Sequence, residues 1–268
     1  MSLTNLELCY NHFTGSIPPS IGSMRYLKVL YLNNNNLSDS IPVEIRKLMS
    51  LTYLELSDNW FTGSVPYSIG NLSNLSILYL YRYNLFGSIP IEIGKLMSLI
   101  DLELSYNQFT GSIRHSIGSL CNLSILYLHS NNLFGSIPKE IGKLMSFTDL
   151  DLSDNWFTGF IPPSIGSLSN LQYLNLNNNS LFGSIPNGIG NLTSLSQLIL
   201  QLNQLKGFVP SSLGRLSKLQ SLYVSFNDLS DFFPPIFENF TKLINLALDE
   251  NDFIDYLSDD ICLPMIFA

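Results

Sequence analysis

A leucine stands at every twenty-fourth residue of this chain, with no insertion between copies: Leu6, Leu30, Leu54, Leu78, Leu102, Leu126, Leu150, Leu174, Leu198, Leu222 and Leu246. The series two residues further on, Leu8 to Leu248, is broken only by Val224, and the one starting at Leu3 only by Phe147. A period held over eleven copies dictates a stack of equal turns, each burying its apolar side chains against the turns beside it. Alternation about Leu6 and Leu8 predicts a short strand with one buried face. Eleven such strands at about 4.8 Å predict a parallel sheet roughly 50 Å long. The return segment, such as 20–24, holds too few residues for a long helix and predicts one 3-10 or irregular turn.

Counting Met1 as position one of the repeat, position eleven is asparagine in ten copies: Asn11, Asn35, Asn59, Asn107, Asn131, Asn155, Asn179, Asn203, Asn227 and Asn251. An amide side chain both donates and accepts, so these residues are expected to form a ladder that pairs the backbone of each bend. Position fifteen is mostly glycine, as in Gly15, Gly63 and Gly87, which suits a bend that a side chain would crowd. Position eighteen is mostly proline, as in Pro18, Pro42 and Pro66, which cannot donate and so ends a short extended segment.

The segment Leu51-Thr-Tyr-Leu54-Glu-Leu56-Ser-Asp-Asn59-Trp-Phe61-Thr-Gly63-Ser-Val65-Pro66 resembles the plant-specific leucine-rich repeat, L-x-x-L-x-L-x-x-N-x-(L/F)-x-G-x-I-P. The likeness covers nearly the whole chain. It implies an α/β, β-rich right-handed superhelix of eleven 24-residue repeats forming one domain over 1–268. The parallel sheet is expected on the concave face and short 3-10 segments on the convex face. The resemblance further implies a second, minor strand set at the Gly-x-Ile-Pro segment. It points to ectodomains of plant receptor-like kinases and receptor-like proteins: extracellular, non-catalytic, and binding a peptide or a co-receptor of the same repeat type. The alternative reading is a secreted inhibitor resembling polygalacturonase-inhibiting proteins.

Composition narrows the partners. The net charge is −8 and only 13% of residues are charged, while asparagine and serine carry the polarity with 27 and 37 copies. An acidic chain is a poor match for nucleic acid, which needs a basic face. No apolar run approaches the roughly 18 residues of a membrane helix. His12, His115 and His129 fall at different repeat positions and form no ligand spacing, so no metal, cofactor or catalytic residue is expected. Cys9, Cys121 and Cys262 lie too far apart in sequence to suggest a disulfide framework.

Residues flanking the buried leucines of a strand face outward. At positions five, seven, nine, ten and twelve there are twelve acids against one base, Arg82. The candidate ligand-binding residues are Glu7, Tyr31, Tyr53, Glu55, Tyr79, Tyr81, Arg82, Tyr83, Asp101, Glu103, Tyr127, His129, Asp149, Asp151 and Tyr173. Acid alternates with tyrosine along position seven, and a trough of acids and rings suits a peptide bearing lysine or arginine. Tyr83 occupies a ladder position and marks the repeat of Arg82 as a candidate local site. The alternation belongs to a 48-residue period, since residues 47–94 and 95–142 are identical at 35 of 48 positions. This reads as duplication of repeats in pairs.

Seven Asn-x-Ser/Thr acceptors occur. Asn71, Asn74, Asn122, Asn191 and Asn239 lie away from the strand centre and are the expected glycosylation sites, with Asn36 and Asn178 less occupied. From Asp231 the motif decays, with Asp255 and Ser258 at glycine and proline positions, and cysteine caps are not seen. The chain is therefore expected to be an internal stretch of a longer ectodomain or the product of a truncated gene.

Overall fold

A computed structural model of the protein describes residues 2–82, 84–231 and 233–254. Tyr83, Asp255, Ser258 and Cys262 lie outside the described residues. The chain divides into two compact units, 1–134 and 135–268.

In the first unit, strands Asn5–Glu7, Val29–Tyr31, Tyr53–Glu55, Ile77–Tyr79, Asp101–Glu103 and Ile125–Tyr127 pair in parallel. Their register sets Leu6 beside Leu30, Leu54, Leu78, Leu102 and Leu126, the 24-residue offset read directly from the sequence. In the second unit, strands Asp149–Asp151, Tyr173–Asn175, Gln197–Ile199, Ser221–Tyr223 and Asn245–Ala247 pair with the same offset. The leucines of the inner turns are wholly buried, while Leu3 at the start of the chain is exposed. The fold is a β-rich solenoid whose core is one side-chain layer per turn.

A second set of strands exists, but it precedes the Ile-Pro pair instead of containing it. Gln108–Gly111 and Asn84–Ser88 are examples, paired in parallel with Phe109 beside Gly87. Eight glycines at position fifteen end or cross these strands with φ between +78° and +89°, a region costly for a Cβ. The position-eighteen prolines from Pro18 to Pro210 then each sit just before a five-residue 3-10 turn such as Pro19–Ser23 or Ile91–Lys95, whereas Pro234 precedes the shorter turn Phe237–Asn239. With φ −60° and ψ 134°, Pro90 presents its carbonyl to Ile93 N at 3.0 Å. The proline therefore starts the turn.

The asparagine ladder forms as the chemistry requires. Asn107 Nδ2 donates to Leu80 O at 2.7 Å in the preceding turn and to Leu104 O at 3.1 Å in its own, while its Oδ1 accepts from Leu85 N at 3.2 Å. Asn11, in the first turn, donates only within its own bend, to Leu8 O and Cys9 O.

One strain was not legible in the sequence. Position ten has positive φ in all eleven turns, from Tyr10 at 54° to Glu250 at 53°, and none of these residues is glycine. For tyrosine, arginine, leucine or phenylalanine this costs roughly 1–2 kcal/mol per residue. The cost is offset by the ladder bonds of the adjacent asparagine, which fix the bend.

Candidate functional site

The outward side of the first strands carries a connected row of rings in the first unit. Tyr31 and Tyr53 meet edge to face at 4.8 Å between centroids, Tyr53 and Tyr79 at 5.7 Å, and Tyr79 and Tyr81 at 6.3 Å. Tyr31, Tyr53 and Tyr79 alternate between strand positions seven and five, so in-register pairing places their rings diagonally across neighbouring strands, while Tyr81 follows Tyr79 in the same turn. The Tyr79 hydroxyl ends the row by donating to Asp101 Oδ2 at 2.6 Å. Burial raises the phenol pKa values of Tyr31, Tyr53, Tyr79 and Tyr81. The nearby acids Glu55, Asp58 and Glu103 add to the effect at Tyr81. All four are therefore neutral hydroxyls near neutral pH, able to donate and to stack.

The acids divide into two kinds. Glu55 and Asp151 are each only 7% exposed. Glu55 Oε1 accepts from Ser57 N at 2.9 Å, and Asp151 Oδ1 accepts from Ser153 N at 2.9 Å and Ser153 Oγ at 2.6 Å. Glu103 makes the same pair of bonds with Ser105. Burial raises the Glu55 pKa, and the Ser57 bonds oppose that shift. These three carboxylates are internal acceptors that tie off the end of the strand, so the trough carries fewer free charges than twelve acids suggest. Their partners could have been found in the sequence, because Glu55-Leu-Ser57, Glu103-Leu-Ser105 and Asp151-Leu-Ser153 repeat the same spacing. Glu7, followed by Cys9 instead, is exposed.

Arg82 joins three turns. Its guanidinium lies 3.6 Å from Asp58 Oδ1 in the preceding turn and over the Tyr106 ring, 5.8 Å from the centroid, in the next. Tyr106 in turn meets His129 edge to face at 4.9 Å, and Tyr127 lies 6.1 Å from the same imidazole. Arg82, Tyr106, His129 and Tyr127 thus form a second cluster beside the tyrosine row. Tyr83, expected to belong with them, is outside the described residues.

In the second unit, Tyr173 OH donates to Asp151 Oδ2 at 3.0 Å, and Asn175 Nδ2 bonds both groups. Asp149 flanks this network, partly exposed. Rings, hydroxyls, amides and a few carboxylates at a fixed strand spacing are the chemistry of recognition. Among the described residues, no group of three or more His, Cys, Asp or Glu side chains is placed to hold a metal ion, and no helix is long and apolar enough to cross a membrane.

Comparison with known proteins agrees with the repeat fold. The family model described as a leucine-rich repeat region matches residues 3–133 and 102–255. A plant peptide hormone receptor, RGFR1 in complex with RGF2, superposes with a TM-score of 0.93 at 32% identity over 97% of this chain and 42% of its own. The ectodomain of the Arabidopsis receptor kinase HAESA, in complex with an N-terminally extended IDA peptide hormone, gives 0.88 at 34% identity over 94% of this chain and 43% of its own. A plant ice-binding protein gives 0.74 at 29% identity over 91% of this chain and 81% of its own. The chain spans 42% and 43% of the two receptor structures. No curated protein matches the chain in sequence.

Proposed function

This chain belongs to the leucine-rich-repeat family in its plant-type form, and from that premise we infer that it is a non-catalytic recognition module which binds a peptide along the outward face of its first strands. The observation that carries the reading is the joined row Tyr31, Tyr53, Tyr79 and Asp101, with Tyr81 beside it. A row of rings prefixed by neighbouring contacts loses little side-chain entropy on binding, which favours its use as an anchor. The similar receptors RGFR1 and HAESA are solved with peptide hormones, which supports a peptide as the ligand class here. Glu7 is exposed, and Asp58 and Asp101, bonded to Arg82 and Tyr79, add further negative charge to the face, which favours a peptide bearing lysine or arginine. The setting that follows is extracellular, within the ectodomain of a longer receptor, where a co-receptor of the same repeat type would read the bound peptide.

The test is a selection from a displayed library of random dodecapeptides on the immobilised chain, followed by hydrogen–deuterium exchange with the best binder. The reading expects basic and aromatic residues in the selected set and slowed exchange at 29–31, 53–55, 77–81 and 101–103. Protection confined to other segments would reject the strand face as the binding surface.

A further inference from the structure

A second surface of the first unit, away from the strand face, has the form of a binding groove. It is an open trough of about 880 Å³ between the ends of the second strands and the 3-10 turns, bordered by residues from Ser40 to His115. One wall is the residue that opens each 3-10 turn: Val43, Tyr67 and Ile91, then His115. The first three are exposed by 47%, 67% and 48%, and Phe86, exposed by 53%, faces the same trough from a second strand. The turn itself does not demand apolar residues there, because the corresponding places in 135–268 include Lys139, Asn187 and Ser211. Contiguous exposed apolar surface of this kind marks a site of interaction.

The end of the groove breaks the repeat in an informative way. Arg114 stands where nine other described turns, Pro18 to Pro234, have proline. Its φ of −77° and ψ of 148° stay close to the proline conformation, and its carbonyl accepts from Ile117 N at 3.0 Å as Pro90 O does from Ile93 N. The exchange therefore leaves the backbone turn as it was and adds a guanidinium. Arg114 and His115 are both exposed, and among the described residues Arg114 makes no ion pair, Glu92 across the groove included.

We propose that this groove binds an extended peptide segment carrying aliphatic side chains and a carboxylate. The apolar side chains lie along Val43, Tyr67 and Ile91, and the carboxylate meets the Arg114 guanidinium, whose fork matches a carboxylate in two parallel bonds. Three steps of about 4.8 Å between turns span about 14 Å, the length of four or five extended residues at about 3.3 Å each. The groove thus selects an acidic segment, whereas the strand face selects a basic one. None of the seven glycosylation acceptors borders it.

The experiment is fluorescence anisotropy on the full chain with N-terminally fluorescein-labelled Leu-Val-Phe-Leu-Glu-amide and its Gln counterpart. The Glu peptide is expected to bind about tenfold more tightly, the scale of a hydrogen-bonded charge pair. Arg114→Pro restores the repeat pattern and should keep the circular dichroism spectrum and melting temperature while erasing the difference between the peptides. Arg114→Gln should do the same if proline itself disturbs the turn. The double change Tyr67→Ser with Ile91→Ser should weaken both peptides, and Tyr53→Ser on the strand face should weaken neither. Equal binding of the two peptides, a preference that survives both Arg114 changes, loss of binding in Tyr53→Ser, or no binding at millimolar peptide would each overturn the proposal.

Discussion

The Tyr79 hydroxyl donates to Asp101 Oδ2 at 2.6 Å, linking residues 22 apart in sequence and adjacent in the stack. Through Tyr53 and Tyr31 the same row continues over two more turns, so the proposed recognition face is also part of the scaffold's own cohesion. The tyrosines give this coupling an alkaline signature. Burial, then the neighbouring Tyr31 and Glu55, push the Tyr53 pKa up to about 12 from 10.0. Between those values the folded chain keeps a proton that the unfolded chain has lost, so the contribution of Tyr53 is complete below about pH 10 and falls as pH rises towards 12. Melting temperatures followed by circular dichroism should therefore decline more steeply over that window in the native chain than in Tyr53→Phe. Parallel profiles would show that the phenol is not held as described.

The asparagine ladder should grade in importance from the first turn inward. Asn107 makes bonds to two turns and is buried, whereas Asn11 is exposed and bonds only its own bend. Asn107→Ala leaves backbone groups at Leu80 and Leu85 without that partner and should cost about 2–3 kcal/mol, against under about 1 kcal/mol for Asn11→Ala. Urea unfolding of both variants checks this. Equal losses would mean that the ladder bonds within one bend matter more than those between turns.

The fold was legible because its cause is arithmetic. A fixed 24-residue leucine spacing leaves parallel stacking in register as the way to bury every copy, and the register pairs such as Leu54 with Leu78 follow. The strained position ten was not legible, because Tyr106 or Arg82 at φ near +55° to +60° is imposed by the bend against local preference. The strand face was legible only in part. Acids and tyrosines could be placed on it, but an alternation of acid and tyrosine counts every acid as a surface charge; the serine two residues on, present in the sequence, is what marks Glu55 and Asp151 as internal acceptors. The groove at Arg114 was invisible to a reading fixed on strand positions, although the missing proline was there to be seen.

Glycan occupancy should follow the freedom of each side-chain amide. Asn71 and Asn191 are exposed at the last residue of their 3-10 turns. Asn74 and Asn122 instead donate Nδ2 to Met49 O and Met97 O, and Asn178 donates to Asp154 at 2.8 Å. Peptide mapping after secretion from plant cells should find Asn71 and Asn191 filled most completely. Higher occupancy at Asn178 than at Asn71 would contradict this order.

The central claim is that the strand face recognises a ligand, with rings as anchors and acids as guides. Surface plasmon resonance of the selected basic peptide, at two salt concentrations and with two variants, tests it most directly. Exposed charges are screened beyond about 8 Å at physiological ionic strength, so added salt should slow association. Asp58→Asn with Asp101→Asn should do likewise, since rim charges act mainly on the on-rate. Tyr53→Ala should leave association nearly unchanged and speed dissociation by about tenfold or more, as loss of a buried anchor does. Association and dissociation rates indifferent to salt, to the double change and to Tyr53→Ala alike would contradict the account.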